Sequence, residues 1–119
     1  ALGDRARAQP EIYQPVFDAI TRLVDHAEQA LRDGNPEPLG AAMTMNHQLL
    51  RALGVSTSEL DEAVRVVLGA GAIGAKLTGA GGGGAILALC GPDADRLQQT
   101  MSEAGYTTSL TRFAADRAA

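Results

Sequence analysis

Apolar residues at Ile12, Val16, Phe17, Ile20, Leu23, Val24, Ala27 and Leu31 recur every three or four positions, which places them on one side of an α-helix. The run predicts a helix over 12–31 with that stripe against a core. Pro15 lacks an amide hydrogen and fits best in a first turn, so regular helix is expected from near Gln14, with 1–11 irregular or a short turn. Asp33-Gly34-Asn35-Pro36 ends it. A second helix is predicted over 37–52, with Leu39, Met43, Asn46, Leu50 and Leu53 on one stripe and Gly54 as the stop.

Ser56-Thr57-Ser58-Glu59 has the spacing of a capping box, in which the Ser56 hydroxyl and the Glu59 carboxylate satisfy free amides of a first turn. A third helix follows, burying Leu60, Val64, Val67 and Leu68. At Gly69-Ala70-Gly71 the period changes from three or four to two. Residues 72–78 then read as a strand with Ile73, Ala75 and Leu77 pointing one way. Residues 85–90 are apolar at every position and bounded by Gly84 and Gly91-Pro92, the pattern of a strand buried on both faces. A short helix over 93–104 and a last strand over 106–113, rich in Thr and aromatics, complete the chain.

These elements describe one domain, because 119 residues divided in two would leave halves too small to bury a core. Apolar residues make up 45% but aromatics only 3%, so the interior must be built from Ala, Val, Leu and Ile. Ten basic against 14 acidic side chains give a net charge of −4, and no run of Lys or Arg forms a stripe for a phosphate backbone, which argues against a nucleic-acid partner. The single Cys90 cannot form an internal disulfide and reads as a buried, inert thiol, so a reducing cytoplasm is the expected location. No stretch of 18 apolar residues suggests a membrane partner.

The most informative segment is 79–84, five glycines in six positions between two predicted strands. Glycine sacrifices packing and conformational entropy, so such a run implies unusual dihedrals or close approach of another group. A hairpin turn alone would need one or two. Gly79, Gly81 and Gly84 formally satisfy G-x-G-x-x-G, but that motif must open a helix, and here a strand follows. No Lys-Ser or Lys-Thr pair follows either, so the Walker pattern also fails. What remains is a bare backbone loop whose amides can form an anion nest.

The stretch Lys76-Leu77-Thr78-Gly79-Ala80-Gly81-Gly82-Gly83-Gly84 resembles the third motif of the GHMP kinases, in the wording of their mevalonate kinase branch. Met45-Asn46-His47-Gln48-Leu49-Leu50-Arg51-Ala52-Leu53-Gly54-Val55-Ser56 is similar to the helix and turn preceding that motif. Ala85 departs from the pattern, where Cys is frequent. The resemblance implies an α+β, ferredoxin-like C-terminal domain spanning 1–119, with helices on one face of an antiparallel sheet. It implies transfer of the γ-phosphoryl group of ATP, with Mg, to a hydroxyl of a small hydroxy acid such as mevalonate, in the cytoplasm. The catalytic groups would belong to an N-terminal kinase domain, the partner this chain lacks, and a homodimer is an analogy. Gly79, Ala80, Gly81, Gly82 and Gly83 would lie beside the ATP phosphates, with Lys76 and Thr78 near the reacting groups and no metal ligand in this chain. A phosphomevalonate or sugar kinase of the same family is the alternative, as is a non-catalytic module that binds a small anion or dimerises.

Compared with that fold the predicted order lacks an opening strand, expected to lie centrally in the sheet, so unpaired strand edges and a truncated or trimmed chain are expected. Lys76 has an alternative role as a strand lysine reaching solvent or a carboxylate, and Thr78 as a hydroxyl satisfied by backbone. Asn46, on an apolar stripe, is expected to bridge to the turn around Gly54. His26 and His47 read as surface or edge histidines without a second ligand at metal spacing.

Overall fold

The computed structural model describes residues 2–78 and 84–112. Gly79, Ala80, Gly81, Gly82, Gly83 and Phe113 lie outside the described residues. The order is α1 (Leu2–Ala8), α2 (Pro10–Asp33), α3 (Pro36–Ala52), α4 (Ser58–Gly69), β1 (Gly74–Thr78), β2 (Ala85–Leu89) and α5 (Ala94–Glu103). β1 and β2 pair antiparallel, with Ala75 opposite Ala88 and Leu77 opposite Ile86.

The first helix boundary differs from expectation. Within the expected irregular stretch 1–11, the described residues are largely helical: α1 occupies Leu2–Ala8 and α2 starts at Pro10. Pro10 takes the first helical position, where a missing amide loses nothing, and Pro15 falls inside the helix. The freed carbonyl is that of exposed Glu11, which water can reach. Arg5 docks α1 by donating from Nη2 to the Leu53 carbonyl at 2.7 Å and by lying over the Tyr13 ring at 5.9 Å. At the far end of α2, Gly34 adopts φ 70°, and the amides of Gly34 and Asn35 close onto Leu31 and Ala30.

The cap of α4 shifts by one residue from the capping box. Thr57, not Ser56, is the N-cap, its hydroxyl accepting from the Leu60 amide at 3.2 Å. The Ser56 hydroxyl turns instead to Asp61. Val64 and Val67 of α4 meet Ala75 of β1 and Met101 of α5, with Ile86, Ala88 and Tyr106 around them. This is the aliphatic core expected, on the sheet face that carries α4 and α5.

β2 is not buried on both faces. Ile86 and Ala88 pack on the α4 side, while Leu87 points to the opposite side and is 54% exposed. The uninterrupted apolar run reflects a face that nothing among the described residues covers. Residues 106–112 are not a strand either, since no described strand lies beside them to complete a ladder.

α3 lies along β1 at very close range. A Cβ on Gly40 would sit 2.4 Å from the Ile73 carbonyl oxygen, and one on Gly74 would sit 2.2 Å from the Gly40 carbonyl oxygen. Only two hydrogens in place of two side chains allow this approach. A Gly40→Ala substitution should therefore force α3 off the strand and destabilise the protein by about 3 kcal/mol, seen as a lower urea midpoint. Gly69→Ala, where a Cβ meets nothing within 4 Å, serves as the matched control.

Candidate functional site

The approach of α3 gives β1 an unusual edge. In an antiparallel ladder alternate amides point away from the paired strand. On β1 these are Ala75, which donates to Thr44 Oγ1 at 3.2 Å, and Leu77, which donates to His47 Nδ1 at 3.1 Å. One helical turn separates Thr44 from His47, so two side chains of α3 replace the neighbouring strand.

His47 is therefore not a surface histidine. Its side chain is 1% exposed, and both ring nitrogens are used. Nδ1 faces a backbone donor and must be the unprotonated nitrogen, which leaves the proton on Nε2, 3.0 Å from Asp61 Oδ1. Asp61 also accepts from Ser56 Oγ at 2.7 Å, and Arg51 Nε lies 3.3 Å from its other oxygen. The Ser56 hydrogen bond is the largest influence and holds the Asp61 carboxyl below its ordinary 3.8; desolvation, next in size, opposes it, and the His47 hydrogen bond and the Arg51 charge add to the lowering. This polar chain runs from α4 through α3 to β1, ending on Leu77, two residues before Gly79.

The far side of the glycine run meets the same helix. Gly84 has φ 65°, and a Cβ there would lie 3.0 Å from Leu60 Cδ1. Leu60 and Asp61 are adjacent in the first turns of α4. One point of α4 thus touches Gly84 directly and reaches Leu77 through His47.

Lys76 and Thr78 lie on the sheet face opposite α4, in register with Leu87 and Ala85. Lys76 lines a cleft of ≈ 190 Å³ between α2 and α3, whose apolar walls include Val24, Leu31, Leu39 and Met43. Partial burial pushes its amine pKa below 10.5. Glu28 lies on the same cleft, but no ion pair of Lys76 is formed among the described residues. Asn46 also lines the cleft and is 5% exposed, but it does not bridge to the Gly54 turn; its Oδ1 is buried with no hydrogen-bond partner among the described residues. The backbone bonds at the end of α3 and the Arg5 side chain already satisfy that turn. A larger depression, ≈ 330 Å³, lies among Arg22, Asp25, His26 and Gln29, all solvated side chains of the exposed face of α2, and brings no chemistry together.

Cys90 is half-buried rather than fully enclosed, and burial pushes its thiol pKa above 9.0. Such a thiol is a poor nucleophile at neutral pH. Among the described residues no three His, Cys, Asp or Glu side chains converge as a metal site, and no helix is long and apolar enough to cross a membrane.

A helix packed closely on a strand that leads into a glycine run is a recognisable frame, and comparison with known families says which one it belongs to. Residues 27–107 match the family described as GHMP kinases C terminal, and the chain belongs to that family. It is 41% identical over 114 residues to the mevalonate kinase of Pyrococcus abyssi, covering 92% of this chain and 34% of that protein. It is 43% identical over 89 residues to the mevalonate kinase of Methanothermobacter thermautotrophicus, covering 75% and 29%. A crystal structure of L. major mevalonate kinase in complex with R-mevalonate superimposes with a TM-score of 0.77 at 33% identity, over 86% of this chain and 32% of that one. The chain spans about a third of the length of these relatives.

The lowered pKa of Asp61 fixes a direction for acid stability. Because the folded carboxyl titrates below the unfolded one, its contribution is complete above the unfolded value and is lost as pH falls from about 4 through the folded value. Asp61→Asn should lower stability at pH 7 and flatten the loss of stability between about pH 4 and 2, measured by urea titrations across that range.

Proposed function

We propose that the intact protein containing this chain is an ATP-dependent kinase that phosphorylates the hydroxyl of mevalonate, and that 1–119 forms its C-terminal domain beside an N-terminal ATP-binding domain. The observation that carries this reading is the likeness to mevalonate kinases over nine-tenths of the chain, including the glycine run itself. The matched share of those proteins, about a third, leaves room for a catalytic domain elsewhere in the polypeptide. The reaction belongs to the isoprenoid route that uses mevalonate, and a cytoplasmic location fits the reducing environment expected for the lone thiol.

Phosphoryl transfer asks little covalent chemistry of a protein; it needs the nucleotide positioned and its charge neutralised. ATP with Mg supplies the transferable phosphoryl group. This chain supplies backbone and charge. The amides of Gly79, Ala80, Gly81, Gly82 and Gly83 are the donors for phosphate oxygens, and the lack of side chains lets the nucleotide approach. Lys76, a partly buried amine that makes no ion pair among the described residues, can offer its charge to a phosphate or carboxylate. Thr78, at the strand end, offers a hydroxyl donor. On this reading, holding Mg falls mainly to the remainder of the protein.

Purified intact protein should consume ATP only when mevalonate is present and yield phosphomevalonate, followed by a coupled ADP assay and mass spectrometry. Turnover of phosphomevalonate or a sugar instead would change the acceptor, and no turnover with any of them would leave an anion-binding module. Lys76→Met should lower kcat/KM by about ten- to a hundredfold, the range for losing one charge-assisted hydrogen bond, without lowering the thermal midpoint. An unchanged kcat/KM would remove Lys76 from the site.

A further inference from the structure

The histidine that the sequence pattern conceals sits at the centre of an arrangement that no hydrophobic core requires. Its Nδ1 accepts the Leu77 amide at 3.1 Å, and its Nε2 donates to Asp61 at 3.0 Å. Asp61 is fixed in turn by Ser56 and Arg51. The next residue towards the α4 N-terminus, Leu60, fills the space beside Gly84, whose φ of 65° sets the direction in which the chain leaves the glycine run. The strand leading in is held through His47, and the strand leading out is held by Leu60. Both restraints converge on Leu60-Asp61, two consecutive residues anchored by the Thr57 cap.

A loop of five glycines has little conformational preference of its own. Whatever holds its ends determines how far its amides are pre-arranged, and pre-arrangement raises affinity by reducing the ordering lost on binding. We propose that His47 is a positioning residue for the phosphate-binding glycine run, acting with Leu60 and Asp61 as a two-ended clamp that couples the α4 N-terminus to the nucleotide site. It rests on the kinase reading for the identity of the ligand, the polyphosphate of a nucleoside triphosphate, but the clamp itself is a property of the fold. His47 need not touch the nucleotide. Its role is to fix the strand end from which the glycine run departs.

Substitutions at His47 separate this role from ordinary packing. Gln carries an acceptor and a donor on one terminal carbon, so His47→Gln can keep both hydrogen bonds. Leu fills the space and makes neither. In the intact protein, His47→Leu should raise the KM for ATP by roughly tenfold with a smaller change in kcat, and His47→Gln should stay within about threefold of wild type, the scale of one hydrogen bond. Amide hydrogen exchange should show the same split: about tenfold faster exchange over 77–84 in His47→Leu, near-wild-type exchange in His47→Gln, and little change in α2 or α5. If the wild-type protein phosphorylates nothing, the kinase reading fails and the exchange data still decide the clamp. The clamp is overturned if His47→Leu leaves exchange over 77–84 unaltered, if exchange rises evenly across the domain, or if an active His47→Leu enzyme keeps its wild-type KM for ATP. Should His47→Leu fail to fold, His47→Asn retains an acceptor for the Leu77 amide but is too short for Asp61. Faster exchange at the α4 N-terminus with 77–84 unchanged would support the strand restraint, and unchanged exchange at both would overturn the coupling.

Discussion

The arrangement depends on how the outward amides of β1 are satisfied. A buried amide without an acceptor costs about 1–3 kcal/mol, and a strand at a sheet edge presents one at every second residue. Here α3 supplies the acceptors, Thr44 for Ala75 and His47 for Leu77. Side chains that short reach a strand backbone only if the helix lies almost against it, which is what Gly40 and Gly74 permit. The glycine contact and the two polar side chains are therefore one device. Changing the glycines would move the acceptors out of range, and changing the acceptors would leave a tight contact around unpaired amides.

From that device the rest of the domain follows in order. Anchoring β1 to α3 fixes the side on which Ala75 faces Val64, Val67 and Met101. It also fixes the side on which Lys76 faces the cleft between α2 and α3. With few aromatic residues, the core is built from small aliphatic groups, and close backbone approach replaces large side chains as the means of excluding water. The polar chain through His47, Asp61, Ser56 and Arg51 then ties α3 to α4 without widening the gap between them.

Much of this was readable from the residues. Periodicity located α2, α3, α4 and β1, because those elements bury one side and leave a spacing behind, while β2 was marked by an uninterrupted apolar run between glycines. The glycine run and the motif around it placed the chain among the GHMP kinases, as comparison showed. Context-dependent features were not readable in the same way. Strand propensity over 106–113 produced no strand over 106–112, because a ladder needs a neighbour. Ser56 had the right offset for a cap but bonded Asp61, and Thr57 took its place. His47 was hidden by the apolar stripe drawn through Leu39, Met43, Asn46 and Leu50; a histidine one turn after a threonine, flanking that stripe, was the available signal. The placing of Gly79, Ala80, Gly81, Gly82 and Gly83 rests on sequence alone.

The closed edge of β1 gives the sheet a polarity. Strand addition beside β1 is blocked, since α3 occupies the space and consumes the donors at Ala75 and Leu77. On β2 the groups of Ile86 and Ala88 alternate away from β1, and no described strand meets them. Any extension of the sheet must therefore proceed in one direction, outward from β2. Self-association through edge pairing has only that one side to use, and a strand docked there would shield it.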